Sequence, residues 1–340
     1  MVMEWLWLGF IGFIVVLLAL DLGVIHRKAH AIPVRKALLW SGGWVGLALL
    51  FTLFIYFGYE RHWFGMDVPD AEPDGWAAAT AFLTGYVVEK SLSVDNLCVI
   101  ALIFGYLGIP AAHQHRVLFW GILAALVMRG LMILVGSLLI ERFHWILYVF
   151  GVLLIAAAVR MLVERHDSRP KGQALVRFVR RLFPVTDQLV GQKFLVRIDG
   201  RLMLTPLALA LVAVESADLL FAADSIPAIF AITEDRFLVF TSNVFALLGL
   251  RSLYFALAHL IDRFHYLNRA LAAILAVIGL KLLLKDVLHG IPGLTYYVLA
   301  AIALLLAAGI GASLVRPKPR RERVEETTGK SLKPETATRV

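Results

Sequence analysis

Glu215-Ser-Ala-Asp218-Leu-Leu-Phe-Ala-Ala-Asp224-Ser-Ile-Pro227 lies inside an apolar segment that runs from about Thr205 to Ile232. A run of that length and composition reads as a membrane-spanning helix, because about 20 apolar residues cross a hydrocarbon core roughly 30 Å thick. An ionised carboxylate near mid-bilayer costs several kcal/mol even on the lenient scales. Three of them in one span do not serve stability. They face a protein-lined polar cavity, hold a cation, or do both.

The rest of the chain has the same character. Of its 340 residues 60% are hydrophobic and 17% charged, and the mean hydropathy is +0.79. A soluble domain is nearer half apolar and a quarter charged, so the composition specifies an integral membrane protein. Nine apolar segments can be counted, at about 5–25, 37–58, 77–106, 116–140, 145–163, 205–232, 238–260, 267–284 and 294–315. The fold class expected is all-α and polytopic, with nine transmembrane helices. The single cysteine, Cys98, excludes a disulfide framework within this chain. Glu4 precedes the first apolar run, no basic stretch leads it and no small-residue cleavage site follows, so Trp5 to Ile25 reads as a retained helix.

The net charge of +8 sits mostly in loops and the tail, where the excess of basic residues on the cytoplasmic side explains it without nucleic acid. Loop 26–36 carries Arg27, Lys28, Arg35 and Lys36 and no acid, whereas loop 59–76 carries Glu60, Asp67, Asp70, Glu72 and Asp74 against Arg61. Loop 164–204 has nine Lys/Arg against four acids, and 316–324 is strongly basic. These loops place the N-terminus outside and the C-terminus in the cytoplasm of a cell membrane. Within the long loop, Leu175, Phe178, Val179 and Leu182 recur at helical spacing among Arg177, Arg180 and Arg181. Residues 172–183 therefore read as an interfacial helix on anionic lipid or as a plain linker helix.

An internal repeat orders these spans. Leu139-Ile-Glu141-Arg142-Phe143-His144-Trp145 matches Leu260-Ile-Asp262-Arg263-Phe264-His265-Tyr266 without gaps, and Met128-Arg129-Gly130 matches Leu250-Arg251-Ser252. Glu89 and Asp95 match Asp218 and Asp224 with the same spacing of six. Spans 3–5 thus resemble spans 6–8. Three is an odd number, so the two copies lie in opposite orientation, as in inverted-repeat transporters whose site sits near the midplane. The organisation expected is peripheral helices one and two with an acidic outer loop over 1–76, a first repeat over 77–163 and a basic loop over 164–204. A second repeat over 205–285, a ninth helix over 286–315 and a disordered basic tail over 316–340 complete it.

The two acidic stretches supply Glu89, Asp95, Glu215, Asp218 and Asp224, the Asn96 amide, and the hydroxyls of Ser91, Ser93 and Ser225 as polar lining. These are hard oxygen donors, suited to Mg²⁺, Ca²⁺ or Mn²⁺ rather than to Zn²⁺ or Cu²⁺. Mg²⁺ dehydrates reluctantly, which favours Mn²⁺ for transport. On a regular helix six residues place Glu89 and Asp95 about 120° apart, so one ion can meet all five acids only if span six breaks near Asp224–Pro227 and span three loosens around Ser91–Ser93. If the helices stay regular, some of the acids serve a second site or a proton path. Arg129 and Arg251, at matching repeat positions near mid-span, act as fixed ion-pair partners or as counter-ions that a divalent cation displaces. Arg160 and Lys281 lie near span ends, where snorkelling accounts for them.

Glu89-Lys-Ser-Leu-Ser-Val-Asp-Asn96, Asp224-Ser-Ile-Pro-Ala-Ile-Phe-Ala231 and Thr241-Ser-Asn-Val-Phe-Ala-Leu-Leu-Gly-Leu-Arg251 resemble the signature segments of the TerC/Alx family of integral membrane proteins. The likeness covers about residues 5–315 and implies a multi-pass protein of the tellurium-resistance type, with manganese export the activity expected. It carries an ion-site role onto Glu89, Asp95, Asn96, Glu215, Asp218 and Asp224.

The function expected is a secondary transporter that exports divalent metal ions, foremost Mn²⁺ with Ca²⁺ or another divalent ion as alternatives, in exchange for protons. No phosphate-binding G-x-x-x-x-G-K-[ST] pattern is present, and no organic cofactor or nucleic-acid partner is expected. The alternative is a non-transporting scaffold or assembly factor of a metal- or tellurite-stress complex, with a structural ion. An enzyme is not expected, since the acids lack an accompanying nucleophile or His base.

Overall fold

The computed structural model describes residues 2–23, 34–66, 74–163, 179–181, 183–186, 188–198, 200–257, 266–288 and 293–315. The chain enters as α1 (Val2–Gly23) and α2 (Val34–Glu60), followed by two 32-residue helices, α3 (Gly75–Tyr106) and α4 (Ala111–Arg142). Asp74 caps α3 by accepting from the Ala77 amide at 2.9 Å, and Pro110 precedes the first turn of α4. α5 (Ile146–Val163) ends the first half. The second half is α6 (Pro206–Phe230), α7 (Arg236–Leu247), α8 (Leu250–Leu257), α9 (Leu267–Leu283), the single turn α10 (Lys285–Leu288) and α11 (Leu294–Val315).

Among the described residues six segments are long and apolar enough to cross a membrane: Arg35–Glu60, Ala111–Arg142, Ile146–Val163, Pro206–Phe230, Arg236–Ala256 and Leu294–Ser313. The apolar part of α1 is shorter, at Glu4–Leu20. α9 has 17 residues, and α3 carries Glu89, Lys90 and Asp95 near its middle. The chain is therefore a mostly helical membrane protein with six candidate spans.

α3, α4, α6 and α7 pack on one another to form the centre, α2 covers α3 and α8, and α11 lies against α9 and α3. The Arg236–Ala256 stretch is the most enclosed, while α2 and α11 expose most of their leucine-rich surface. That inside-out distribution is what hydrocarbon around the bundle requires. Among the described residues α5 and α9 make the most extensive helix pairing. A methyl added at Gly279 would stand 3.0 Å from the Gly151 carbonyl oxygen, and one at Gly151 would stand 3.2 Å from that of Gly279. Without a hydrophobic drive between helices in lipid, such small-residue contact lets van der Waals packing hold them.

The break in the helices falls elsewhere than the sequence suggests. α6 runs through Asp224 and Pro227 to Phe230, and α3 runs through Ser91, whose hydroxyl donates to the Val87 carbonyl at 2.6 Å. Pro227 stands one turn from the end of α6, where the loss of its N–H leaves one carbonyl unbonded without interrupting the rod. The interruption instead separates α7 from α8. Leu248 is extended (φ −61°, ψ 132°) and Gly249 takes φ +78°, a conformation that costs an L-residue roughly 1–2 kcal/mol. Trp44 of α2 packs against it so closely that a Cβ there would lie 2.6 Å from the indole.

Loop 164–204 contains an antiparallel hairpin, β1 (Leu195–Ile198) with β2 (Arg201–Leu204), in register Ile198↔Arg201. In sequence the strands are joined by Asp199-Gly200, and Gly200 takes φ +77°, a left-handed conformation that glycine adopts without steric cost. The hairpin leads directly into α6: Thr205 caps that helix and its hydroxyl donates to the Lys193 carbonyl at 2.7 Å. Of the helix expected at 172–183, residues 179–181 are helical, and 172–178 and 182 lie outside the described residues, as does the tail from 316.

Candidate functional site

Asp218 is the midpoint of α6, twelve residues from either end, which is about 18 Å each way. Glu89 is the fifteenth of the 32 residues of α3. Both carboxylates point inward, 4% and 1% exposed, and between them lies the equally buried guanidinium of Arg129 from α4. Nη1 of Arg129 donates to Glu89 and, at 3.2 Å, to Oδ1 of Asn243 on α7. Nε and Nη2 donate to Oδ2 and Oδ1 of Asp218 at 3.3 and 3.1 Å, a side-on bidentate pairing. Asn96, almost two turns beyond Glu89 on α3, donates its amide to Asp218 Oδ1 at 2.7 Å. Four helices thus meet on one planar cation. A guanidinium suits this because its donors lie in a fixed fork that two carboxylates can share.

Glu215, one turn before Asp218, interacts electrostatically with Asp218 and Arg129. Its carboxylate abuts α4 at Gly121, where an added Cβ would stand 3.1 Å from Oε1. Several buried oxygens of the expected set find no hydrogen-bond partner among the described residues: Glu89 Oε2, both Glu215 oxygens, Ser93 Oγ, Asn96 Oδ1 and Ser225 Oγ. An unpaired polar atom in an apolar interior costs free energy comparable to a lost hydrogen bond or more. Their accumulation in one set of residues is a cost the fold carries within the candidate site. Three carboxylates face one guanidinium, so with all groups ionised two negative charges remain uncompensated (three minus one).

Asp224 is held apart from this centre. Six residues beyond Asp218 on an unbroken helix, it turns toward α5 and accepts from Nη2 of Arg160 at 2.7 Å, with its side chain 25% exposed and that of Arg160 57%. Arg160 is thus an ion-pair partner as well as a residue near a helix end. Asp95 lies on α3, and its side chain is outside the described residues. Ser91 is tied to its own helix. Arg251 is buried in the second residue of α8, directly after the break. Among the described residues no three His, Cys, Asp or Glu side chains close on one point; at the centre, Arg129 stands between the two acids.

Two residues without an assigned role in the sequence reading join the site. Asn243 carries the second acceptor for Arg129 and is itself tied to the Val239 carbonyl at 2.9 Å. Lys90, adjacent to Glu89, donates to the carbonyls of Ala246 and Leu248 at 3.0 and 3.1 Å. Asn243 stands out in sequence as part of Thr241-Ser-Asn243 within an otherwise apolar run. Nothing local announces the partner of Lys90.

Residues 74–321 match the description "Integral membrane protein TerC family". The chain belongs to this family. A Myxococcus xanthus relative named uncharacterized membrane protein STKORF319 is 46% identical over 314 residues, covering 92% of this chain and 93% of the relative. The Escherichia coli K12 member, named membrane-bound redox modulator Alx, is 46% identical over 286 residues, 84% of this chain and 87% of its own. An uncharacterized membrane protein of Rickettsia bellii is 39% identical over 311 residues, 91% and 97% of the two chains. No solved structure matches. The family model begins at Asp74, the cap of α3, and takes in every residue of the Arg129 cluster.

Proposed function

We propose that this TerC-family chain is a secondary transporter that exports divalent metal ions, foremost Mn²⁺, in exchange for protons. The observation that carries the reading is the set of mid-membrane oxygens from α3 and α6 gathered on the Arg129 guanidinium, several of them unsatisfied. A site that already holds a cation between Glu89 and Asp218 is suited to exchange it for another. In this reading Glu89, Asp95, Asn96, Glu215 and Asp218, with Ser93 and Ser225, receive the ion when Arg129 withdraws, and Asp224 with Arg160 forms a separate station nearer the C-terminal end of α6. Protonation of the carboxylates from the outside then releases the ion, and loss of those protons to the cytoplasm as Arg129 returns resets the site. Hard oxygen donors favour Mn²⁺ or Ca²⁺ over thiophilic metals.

The architecture proposed with it has nine spans, N-terminus outside and C-terminus cytoplasmic. α3–α5 and α6–α9 serve as oppositely oriented units that rock about the site. The helix interruption at Leu248-Gly249 and the tight α5–α9 pairing support that reading. The redox role in the name of the Escherichia coli relative has little to act through here, since Cys98 alone cannot cycle between dithiol and disulfide within one chain. The test is Mn²⁺ uptake into inside-out vesicles holding wild type, Asp95→Ala, Asp218→Asn or Asp224→Ala. Loss of uptake with normal membrane insertion supports the assignment, and undiminished uptake by all three variants removes it. Flux from the purified chain alone also separates a transporter from a scaffold.

A further inference from the structure

Interrupting a helix inside a membrane strands main-chain carbonyls, and hydrocarbon offers them no hydrogen-bond partner. The α7–α8 break has an internal remedy. Nζ of Lys90 donates to the Ala246 carbonyl at 3.0 Å and to that of Leu248 at 3.1 Å. Lys90 is the sixteenth of the 32 residues of α3, too central for its head group to reach an interface. These carbonyls belong to the C-terminal end of α7, where the helix dipole gathers partial negative charge and favours a cation. Gly249 at φ +78°, pressed by Trp44, fixes the shape of the turn.

The geometry points to a second cation site, made of the Ala246 and Leu248 carbonyls and distinct from the carboxylate cluster, whose resident cation is the tethered Lys90 ammonium. The ligand class is a small monovalent cation of ammonium type. Unwound carbonyls bind free ions in this manner in other transporters; here the ion is part of α3. Glu89 and Lys90 are consecutive, about 100° apart around α3, so one turn of that helix grips Arg129 with one side chain and the break with the next. Asn243, one turn before Ala246, closes the loop by accepting from Arg129. Lys90 is thus a positioning residue: a shift of α3 at Glu89 pulls on the α7–α8 break, and the reverse.

The consequence for transport rests on the function proposed above, but the site does not, and it is tested without Mn²⁺. Amide hydrogen exchange is followed by mass spectrometry across residues 244–257 in the purified full chain, for wild type, Lys90→Ala and Lys90→Met. Exchange at Leu248–Leu253 is expected to quicken about tenfold or more in both variants, as bonds from a charged donor are lost. In Lys90→Ala, ammonium or methylammonium chloride restores protection, whereas choline chloride at equal ionic strength does not. In Lys90→Met the retained stem blocks the pocket, and no salt restores it. Wild-type protection in Lys90→Ala, or equal effects of ammonium and choline, overturns the site. If Lys90→Ala does not survive purification, Lys90→Met decides: fast exchange confined to 246–253 supports the site, and wild-type exchange overturns it. Ammonium-dependent protection in a chain that moves no Mn²⁺ would keep this site and discard the transporter reading.

Discussion

Replacing Arg129 by glutamine separates two effects that a merely structural arginine would not. The guanidinium is 3% exposed and bridges Glu89 and Asp218, themselves 1% and 4% exposed. Removing one partner of a buried ion pair typically costs about 3–5 kcal/mol, because the charges left behind are uncompensated. Without added metal, Arg129→Gln should therefore melt well below wild type. The same change leaves the carboxylates open to a divalent ion. If wild type must first give up that 3–5 kcal/mol to admit Mn²⁺, its apparent affinity is weaker by roughly 10²- to 10³-fold or more, at 1.4 kcal/mol per decade. Saturating the variant at about 100 times its Kd returns about 2.7 kcal/mol, most of the loss. Melting curves of both proteins in detergent, over a Mn²⁺ series with a monovalent salt control, read this directly. A larger Mn²⁺ shift at lower concentration in Arg129→Gln is expected. A variant that responds less than wild type refutes the exchange of arginine for metal.

Two further changes probe the frame around the site. Gly249→Ala should lower the melting midpoint, through the left-handed φ and the 2.6 Å approach to Trp44; pairing it with Trp44→Ala should recover only part, since the backbone strain stays. Gly279→Val should weaken the α5–α9 pairing, because its side chain meets the Gly151 carbonyl at 3.0 Å and Ile155 at 3.1 Å. It is read as reduced yield of monodisperse protein, and an unchanged yield and melting point would contradict the contact.

Much of the centre was legible in the chain itself. Carboxylates in the middle of apolar runs mark helices that face protein and not lipid, and Glu89, Asp218 and Arg129 meet where mid-span positions must. Helical geometry alone set Asp224 on a different face from Asp218's neighbours, and the unbroken α6 kept it there, beside Arg160. The position of the break was hidden. A glycine in an apolar run resembles the chain's other glycines, and what singles out Gly249 is Trp44, 205 residues earlier (249 minus 44) on another helix. Pro227 drew the expectation to the wrong span because a proline within one turn of a helix end disturbs little. Asp199-Gly200, lying in sequence between Leu195–Ile198 and Arg201–Leu204, is a local hairpin signal that the charge of the loop does not reveal.

The Gly151–Gly279 crossing limits how α5 and α9 can move against each other. Where backbones touch, neither rod can roll without driving Ile155 or Leu283 into its neighbour, and neither can slide without a carbonyl striking an α-carbon. What remains is a swing about the contact point itself, like scissor blades on a rivet. Displacement is then smallest beside those glycines and grows along each arm.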